Sequence, residues 1–433
     1  MLTASLTRKQ HQAGTSCEKS MLLEWLSNDG KLIISARILR AFAYGLLSVI
    51  LAIYLRLIGV SDLAIGFVLT ATLANSIIFT LVASFYADRI GRRKILILYG
   101  ALMSIAGSIF VVTDNFVPLI LAALIGTINV TGSETGAFIS IEQALLPQTV
   151  TDTKKRNTIF AIYNMVGTFA MAIGTLVTGL PSFLQQQYGL TQVDSIKPLF
   201  LLYSALGIAT IVIYLFLSKK IEVSSSSSSA YVSKPLTKTL SPPSKRIVGK
   251  LSGLFAVDSF AGGFVIQSLV SFWFYTRFGV EFATLSYIFS VAGVLTALSF
   301  LAAARIADRI GLVNTMVFTH IPSNLLLIMV GFAPNLPFAI GFYLARMALS
   351  QMDVPTRQSY IVAVVNEDER TAAAGITNIS RNISQAISPS VTGAILQLLP
   401  AMSTPFVIGG ALKIIYDLAL YFSFRNIKPE QEQ

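Results

Sequence analysis

Apolar residues recur along this chain in long runs divided by short polar segments, and most of the runs have one length. A hydrocarbon core about 30 Å thick is crossed by roughly 20 apolar helical residues, and twelve stretches of that kind can be picked out. Six cover 32–54, 63–86, 95–112, 116–146, 159–183 and 199–217, and six cover 251–274, 282–306, 313–332, 337–365, 373–399 and 406–424. The fourth and tenth exceed what a bilayer requires, so their inner ends are expected to continue into the cytoplasm. The pattern predicts an all-α integral membrane protein with twelve transmembrane helices.

Basic residues then assign the sides, because cytoplasmic loops accumulate Lys and Arg. One set of loops holds Arg89, Arg92, Arg93 and Lys94, then Lys154, Lys155 and Arg156, then a basic stretch from Lys219 to Lys250; the opposite set holds only Arg56, Lys197 and Arg277. Both termini are therefore expected in the cytoplasm, with the plasma membrane as the site of residence. Between the sixth and seventh stretches lies a Ser-, Pro- and Lys-rich segment that cannot bury a core and reads as a flexible linker. The expected organisation is a tail over 1–30, a six-helix half over 31–218, a linker over 219–247, a second half over 248–425 and a tail over 426–433.

Composition sharpens this reading. The chain is 54% hydrophobic and 12% charged, about half the charged share of an average soluble domain, and its mean hydropathy is +0.70. The net charge of +11 sits between apolar runs, where it sets topology and does not build a nucleic-acid groove. Cys17 is the one cysteine, so no intramolecular disulfide or cysteine-based metal site can form. No phosphate-binding Gly-x-x-x-x-Gly-Lys-Ser/Thr loop and no His/Cys/Glu metal spacing occurs. No cofactor is expected, and an enzyme is not.

The halves repeat. FYADRIGRRK over 85–94 and RIADRIGLVN over 305–314 share A-D-R-I-G, each between the second and third stretch of its half, which is the mark of an internal duplication. At nearly the same offset Glu134 falls opposite Asp353. With these residues the chain resembles the major facilitator superfamily, whose signature is a Gly-x-x-x-Asp-Arg-x-Gly-Arg-Arg/Lys loop after the second span. Ser84, Asp88, Arg89, Gly91, Arg92 and Arg93 follow it with Ser in place of the first Gly, and Asp308, Arg309 and Gly311 form the second copy without its basic residues. The resemblance implies two pseudo-symmetric six-helix halves, a cytoplasmic gate built on these loops, and a central cavity lined by the first, fourth, seventh and tenth spans. Asp88 is expected to accept hydrogen bonds from the N-terminus of the eleventh span, since a carboxylate there meets the positive end of the helix dipole. The Arg-centred motif of the fourth span and the Gly-Pro motif of drug exporters are missing.

Ionisable residues at bilayer depth are costly and default to functional roles. Arg37, Arg40 and Tyr44 share a face of the first span; Arg346, Asp353 and Arg357 make a polar stripe in the tenth; Glu134, Asp258, Gln267 and Arg381 complete the candidate substrate and coupling set. Asp258 is expected to carry coupling protons with Arg37 or Arg40 as partner, and Lys413 and Asp417, four apart in the peripheral twelfth span, to pair with each other. His320 in the ninth span reads as a packed residue. The function expected is a secondary active transporter working by alternating access, proton-coupled, as a monomer, with a small and mildly favoured anionic or carboxylate-bearing substrate. A proton-coupled multidrug exporter and a non-transporting receptor or scaffold are the alternatives.

Overall fold

The computed structural model describes residues 25–133, 136–150, 156–222, 240–366, 369–399 and 401–425. Among them the regular structure is helical, apart from a single antiparallel bridge between Leu26 and Val150. In the first half the helices are α1 (Asn28–Leu57), α2 (Asp62–Ile90), α3 (Arg92–Val112), α4 (Phe116–Ile125), α5 (Ala137–Leu145), α6 (Arg156–Val177), α7 (Leu180–Tyr188) and α8 (Gln192–Leu215). In the second they are α9 (Pro242–Gly263), α10 (Gln267–Phe278), α11 (Phe282–Ile310), α12 (Leu312–Gly331), α13 (Leu336–Leu349), α14 (Asp353–Ala363), α15 (Arg370–Leu398) and α16 (Thr404–Phe424). Of the linker expected over 219–247, residues 223–239 lie outside the described residues; Lys219–Ile221 forms a helical turn and α9 begins at Pro242.

Nine helical stretches among the described residues are long and apolar enough to cross a membrane. The other expected crossings depart from a plain apolar rod. In the fourth, α4 stops at Gly126 and α5 starts after Gly136, because the intervening sequence is rich in Gly and β-branched residues and Asn129 stabilises a turn, accepting from Thr131 N at 3.0 Å and donating to Ser133 O at 2.8 Å. In the tenth, α13 ends at Leu349 and α14 restarts at Asp353, with Pro355 in its first turn, where no N–H is required. The fourth and tenth are thus broken helices, and their extra length does not come from uninterrupted helices extending past the bilayer. The eleventh, α15, is continuous but carries Asn, Ser, Arg and Gln along its length.

The sequence repeat is a structural one. Helices α2 and α11 each contain 29 residues and each ends at a glycine with positive φ, Gly91 at 110° and Gly311 at 84°. A side chain with a Cβ is strained in that conformation, so the glycine of A-D-R-I-G is what lets α3 and α12 start at once in a new direction.

Buried apolar side chains define two ends. Away from Gly91 and Gly311 one cluster takes in residues of both halves, such as Leu47, Leu51, Leu69, Phe272, Phe289 and Ala386. At the A-D-R-I-G end two separate clusters occur, one around Leu96, Tyr99 and Tyr214 in the first half and one around Phe255, Met316 and Leu420 in the second. Exposed apolar side chains recur every seven residues on α3 (Leu98, Ile105, Val112), α8 (Leu201, Ile208, Leu215), α12 (Phe318, Leu325) and α16 (Ile415, Phe422). Such stripes on a helix suit lipid and not water.

Candidate functional site

Hydrogen bonds between the halves follow the same division. Ser390 Oγ lies 2.7 Å from Thr70 Oγ1, Gln267 Nε2 donates to Ser48 Oγ at 3.0 Å, Ser271 Oγ to Val49 O at 2.8 Å, Ser268 N to Val130 O at 3.2 Å, and Ala283 N to Ser182 Oγ at 3.0 Å. All lie at the end away from the A-D-R-I-G loops. Still farther out, a polar cleft of about 530 Å³ between the halves is bounded by Arg56, Gln192, Tyr275 and Glu281. Gln267 belongs to this seal: it begins α10 after the break that follows Gly263.

Inside the first half, Arg40 donates through two nitrogens to Glu142, at 2.8 and 2.6 Å, with both side chains fully buried. Tyr163 and Tyr214 also donate to Glu142, at 2.5 and 2.7 Å. Arg37 stacks over the Tyr163 ring at 4.6 Å, and Tyr44, buried on the same face of α1, lies against Tyr203. Every ionised oxygen of Glu142 is therefore engaged. Glu134 lies outside the described residues.

The second half holds a longer chain of charge. Lys413 Nζ donates to Asp258 Oδ1 at 2.5 Å; Arg357 Nη1 is 3.6 Å from Asp258 Oδ2 and 2.5 Å from Asp353 Oδ2. Asp417 is held by His320 Nδ1 at 2.8 Å and by Asn324 Nδ2 at 2.9 Å. Arg381 Nε donates to Ser259 Oγ at 3.0 Å, and Arg346 is 8% exposed on the last turn of α13. Two expectations are corrected. Lys413 and Asp417 do not form a private pair: both point away from the lipid-facing stripe of Ile415 and Phe422, Lys413 into α9 and Asp417 into α12. Asp258 does not pair with Arg37 or Arg40 across the halves, because its partners Lys413 and Arg357 come from its own bundle and Arg40 is taken by Glu142.

At the A-D-R-I-G loops Asp88 pairs with Arg92, Nε to Oδ1 at 2.8 Å, and is 55% exposed. It does not reach α15, since the halves are apart at this end. The carboxylate that caps α3 is Glu222, which accepts from Arg92 N at 2.8 Å and Arg93 N at 3.2 Å, while Arg93 also donates to Leu215 O. Arg89, Asp308 and Arg309 are exposed.

Sequence reasoning missed Glu142 and Glu222. Glu142 was hidden because 116–146 read as one apolar rod whose inner end would be wetted, and Glu222 because it sits at the root of a linker. A signal existed for the first: a lone Glu between Ile141 and Leu145 with no basic residue near it in sequence must find a partner from another helix.

A helical protein with lipid-facing stripes, two bundles joined at one end and ionised side chains buried within each bundle belongs to the class of membrane transporters. The profile of the Major Facilitator Superfamily matches residues 33–389 and again 260–433. The chain belongs to that superfamily. It is 28% identical over 427 residues to a Saccharomyces cerevisiae protein described as "Uncharacterized membrane protein YJR124C", covering 93% of this chain and 95% of that one. Its fold is similar to that of the nucleoside transporter NupG (TM-score 0.71, 15% identity, 92% of this chain and 99% of that one). It is likewise similar to a D-xylose–proton symporter (TM-score 0.70, 13% identity, 93% and 98%) and to the human organic anion transporter MFSD10 (TM-score 0.60, 15% identity, 90% and 98%).

Proposed function

We propose that the chain is a secondary active transporter that moves a small anionic solute by alternating access, coupled to protons. The observation that carries this reading is the one-ended closure: one apolar core and all the named inter-half hydrogen bonds at one end, two separate cores at the other. Two bundles that meet only at one end can rock about it, exposing the space between them first to one side and then to the other. The open end carries the basic loops with Arg89, Arg92, Arg93, Lys94, Lys245 and Arg246, so the positive-inside bias makes this the cytoplasmic side and the state inward-open. Twelve crossings in two halves of about 31–218 and 248–425, with both tails cytoplasmic, a monomer, and residence in the plasma membrane complete the proposal.

The preference for an anion rests on buried charge. Buried Arg37, Arg40, Arg346, Arg357 and Lys413, with half-buried Arg381, outnumber Glu142, Asp258, Asp353 and Asp417 among the described residues at bilayer depth, and an uncompensated cation there is costly. Coupling falls to Asp258. A proton arriving on its carboxylate cancels the charge that holds Lys413 and Arg357, frees both cations, and so links protonation to the packing of α9, α14 and α16.

A disulfide tests alternation without knowledge of the substrate. Thr70→Cys and Ser390→Cys, introduced with Cys17→Ser, should cross-link in the closed outer seal. Proteoliposomes given a mixture of carboxylate metabolites outside should then lose pH-driven uptake on oxidation and regain it on reduction. Uptake indifferent to the cross-link would overturn alternating access through this seal.

A further inference from the structure

Arg346 differs from the other strongly buried arginines of the second half. Arg357 is paired with two carboxylates, whereas among the described residues Arg346 makes one hydrogen bond, from Nη1 to the thioether of Met347 at 3.3 Å. Its Nε is buried without a partner, and Nη2 makes no hydrogen bond among the described residues. A guanidinium presents Nε–H and one Nη2–H in parallel, at the spacing of the two oxygens of a carboxylate. The unpaired edge therefore has the donor pattern of a complete fork for one carboxylate, with Nε closed to solvent in this state. The carboxylate that acts on Arg346 electrostatically, Asp258, is already taken by Lys413 at 2.5 Å and Arg357 at 3.6 Å.

Position supports the same conclusion. Arg346 closes α13 immediately before the break at Ser350–Met352, and broken helices are where transporters of this architecture place binding sites. Tyr343 lies one turn earlier on the same face of α13 and is buried with it. Its ring packs on Phe274 and Phe289 at 5.7 and 5.5 Å, which gives the site an apolar flank. An open charged fork beside an aromatic wall suits a monocarboxylate with a small apolar body.

We infer that Arg346 is the receptor for the single carboxylate of the transported solute; the word transported rests on the function proposed above, but the binding does not. The test is chemical modification of the full-length protein in detergent. Phenylglyoxal attacks free guanidinium groups, and peptide mass spectrometry should find Arg346 modified faster than Arg40 and Arg357, which carboxylates already hold. Benzoate at about ten times its Kd should slow modification of Arg346 roughly tenfold, because only the unoccupied fraction reacts, while benzamide, and chloride at the same ionic strength, should not. Arg346→Lys, which keeps the charge and loses the fork, should lose the thermal stabilisation that benzoate gives the parent protein. The proposal is overturned if Arg346 is unreactive, or if benzoate protects no better than chloride, or if the Lys variant is stabilised like the parent. Protection without flux in proteoliposomes would instead overturn the transport reading and leave the site standing.

Discussion

Arg40 in the first helix and Glu142 in the broken fourth crossing meet as a two-pronged ion pair with no exposure on either side chain. The second half builds the corresponding contact with the signs exchanged: its first helix, α9, supplies the carboxylate of Asp258, and its broken fourth crossing supplies Arg357. The duplicated fold has kept a buried charge contact at the same junction of elements while the halves diverged in which element carries the cation. The consequences differ. Glu142 is saturated by an arginine and two tyrosines, as a lock would be; Asp258 is held by two cations, and in the coupling proposed above it is the switch.

The lock should behave as a buried pair. Glu142→Gln leaves Arg40 without its counter-charge and is expected to cost about 3–5 kcal/mol of stability, whereas the double replacement Arg40→Met with Glu142→Leu should recover most of it, because removing both charges also removes their desolvation cost. Thermal unfolding in detergent, followed by tryptophan fluorescence, measures both. A double variant no more stable than the single one would mean that Arg40 has a function beyond the pair.

For the switch, Asp258→Asn should leave a folded protein that exchanges substrate at equilibrium and no longer concentrates it in response to a pH gradient. Lys413→Met, which removes one of its partners, should change the pH dependence of uptake without abolishing exchange. If Asp258→Asn accumulates substrate with an unaltered pH profile, coupling lies in Asp353 or in the His320–Asp417 pair.

The helical architecture and the duplicated gate loop could be read from sequence because both depend on local signals: apolar length, the distribution of Lys and Arg, and the glycine that A-D-R-I-G places at a turn. The partners of the buried charges could not. Lys413 and Asp417 are four apart and helical geometry allows them to pair, but α16 rolls its lipid-facing stripe outward and hands each to a different neighbour. The breaks after Ile125 and at 350–352 were overlooked for a related reason. Apolar length measures a crossing, and it is insensitive to Asn129 or Pro355 interrupting the helix within it.

Gly91 and Glu222 together define the loop after α2. Gly91 has φ of 110°, and a Cβ there would also lie 3.2 Å from Glu222 Oε1. Gly91→Ala is therefore expected to cost more than about 1 kcal/mol, the ordinary penalty of a left-handed conformation with a Cβ. Glu222→Gln should cost less, about 0.3–1 kcal/mol for a charge lost at a helix N-terminus. Comparing the two unfolding curves checks the order; equal effects would mean that the loop depends on the cap alone.

Glu369 gives the motif end an acid sensitivity. Its carboxylate accepts from the Ser244 hydroxyl and from Ser241 N, and these bonds hold its pKa below the ordinary value of 4.5. A lowered folded pKa means that the unfolded chain binds more protons, so the stabilisation is complete above 4.5 and is lost as pH falls through the folded value. Hydrogen exchange at the Ser241 amide should accelerate below pH 4.5 beyond the intrinsic trend, and Glu369→Gln should remove that excess. An unchanged excess in the variant would assign the acid response to another group.

The outer seal offers the sharpest test of the conformational cycle, because two of its glycines face backbone atoms and no flexible side chain. A Cβ at Gly66 would lie 2.4 Å from Pro389 O, and one at Gly393 would lie 2.4 Å from Asp62 O. Both obstacles are backbone atoms, so α2 and α15 cannot pack this closely once either glycine becomes alanine. The contact joins the two halves and is not needed within either, so its loss should act on the equilibrium between states more than on folding. Overpacking of about 1–3 kcal/mol corresponds to a shift of roughly five- to 150-fold toward the state with the outer end open. Ser48 is fully buried in the seal and accepts from Gln267, which makes it the reporter. With Cys17→Ser and Ser48→Cys in place, Gly66→Ala should raise labelling by a membrane-impermeant thiol reagent added outside, at an unchanged unfolding temperature. Gly341→Ala, where an added methyl meets nothing within 4 Å, should leave labelling as it was. A Gly66→Ala protein that unfolds earlier with Ser48→Cys still protected would make the contact structural and remove it from the gate.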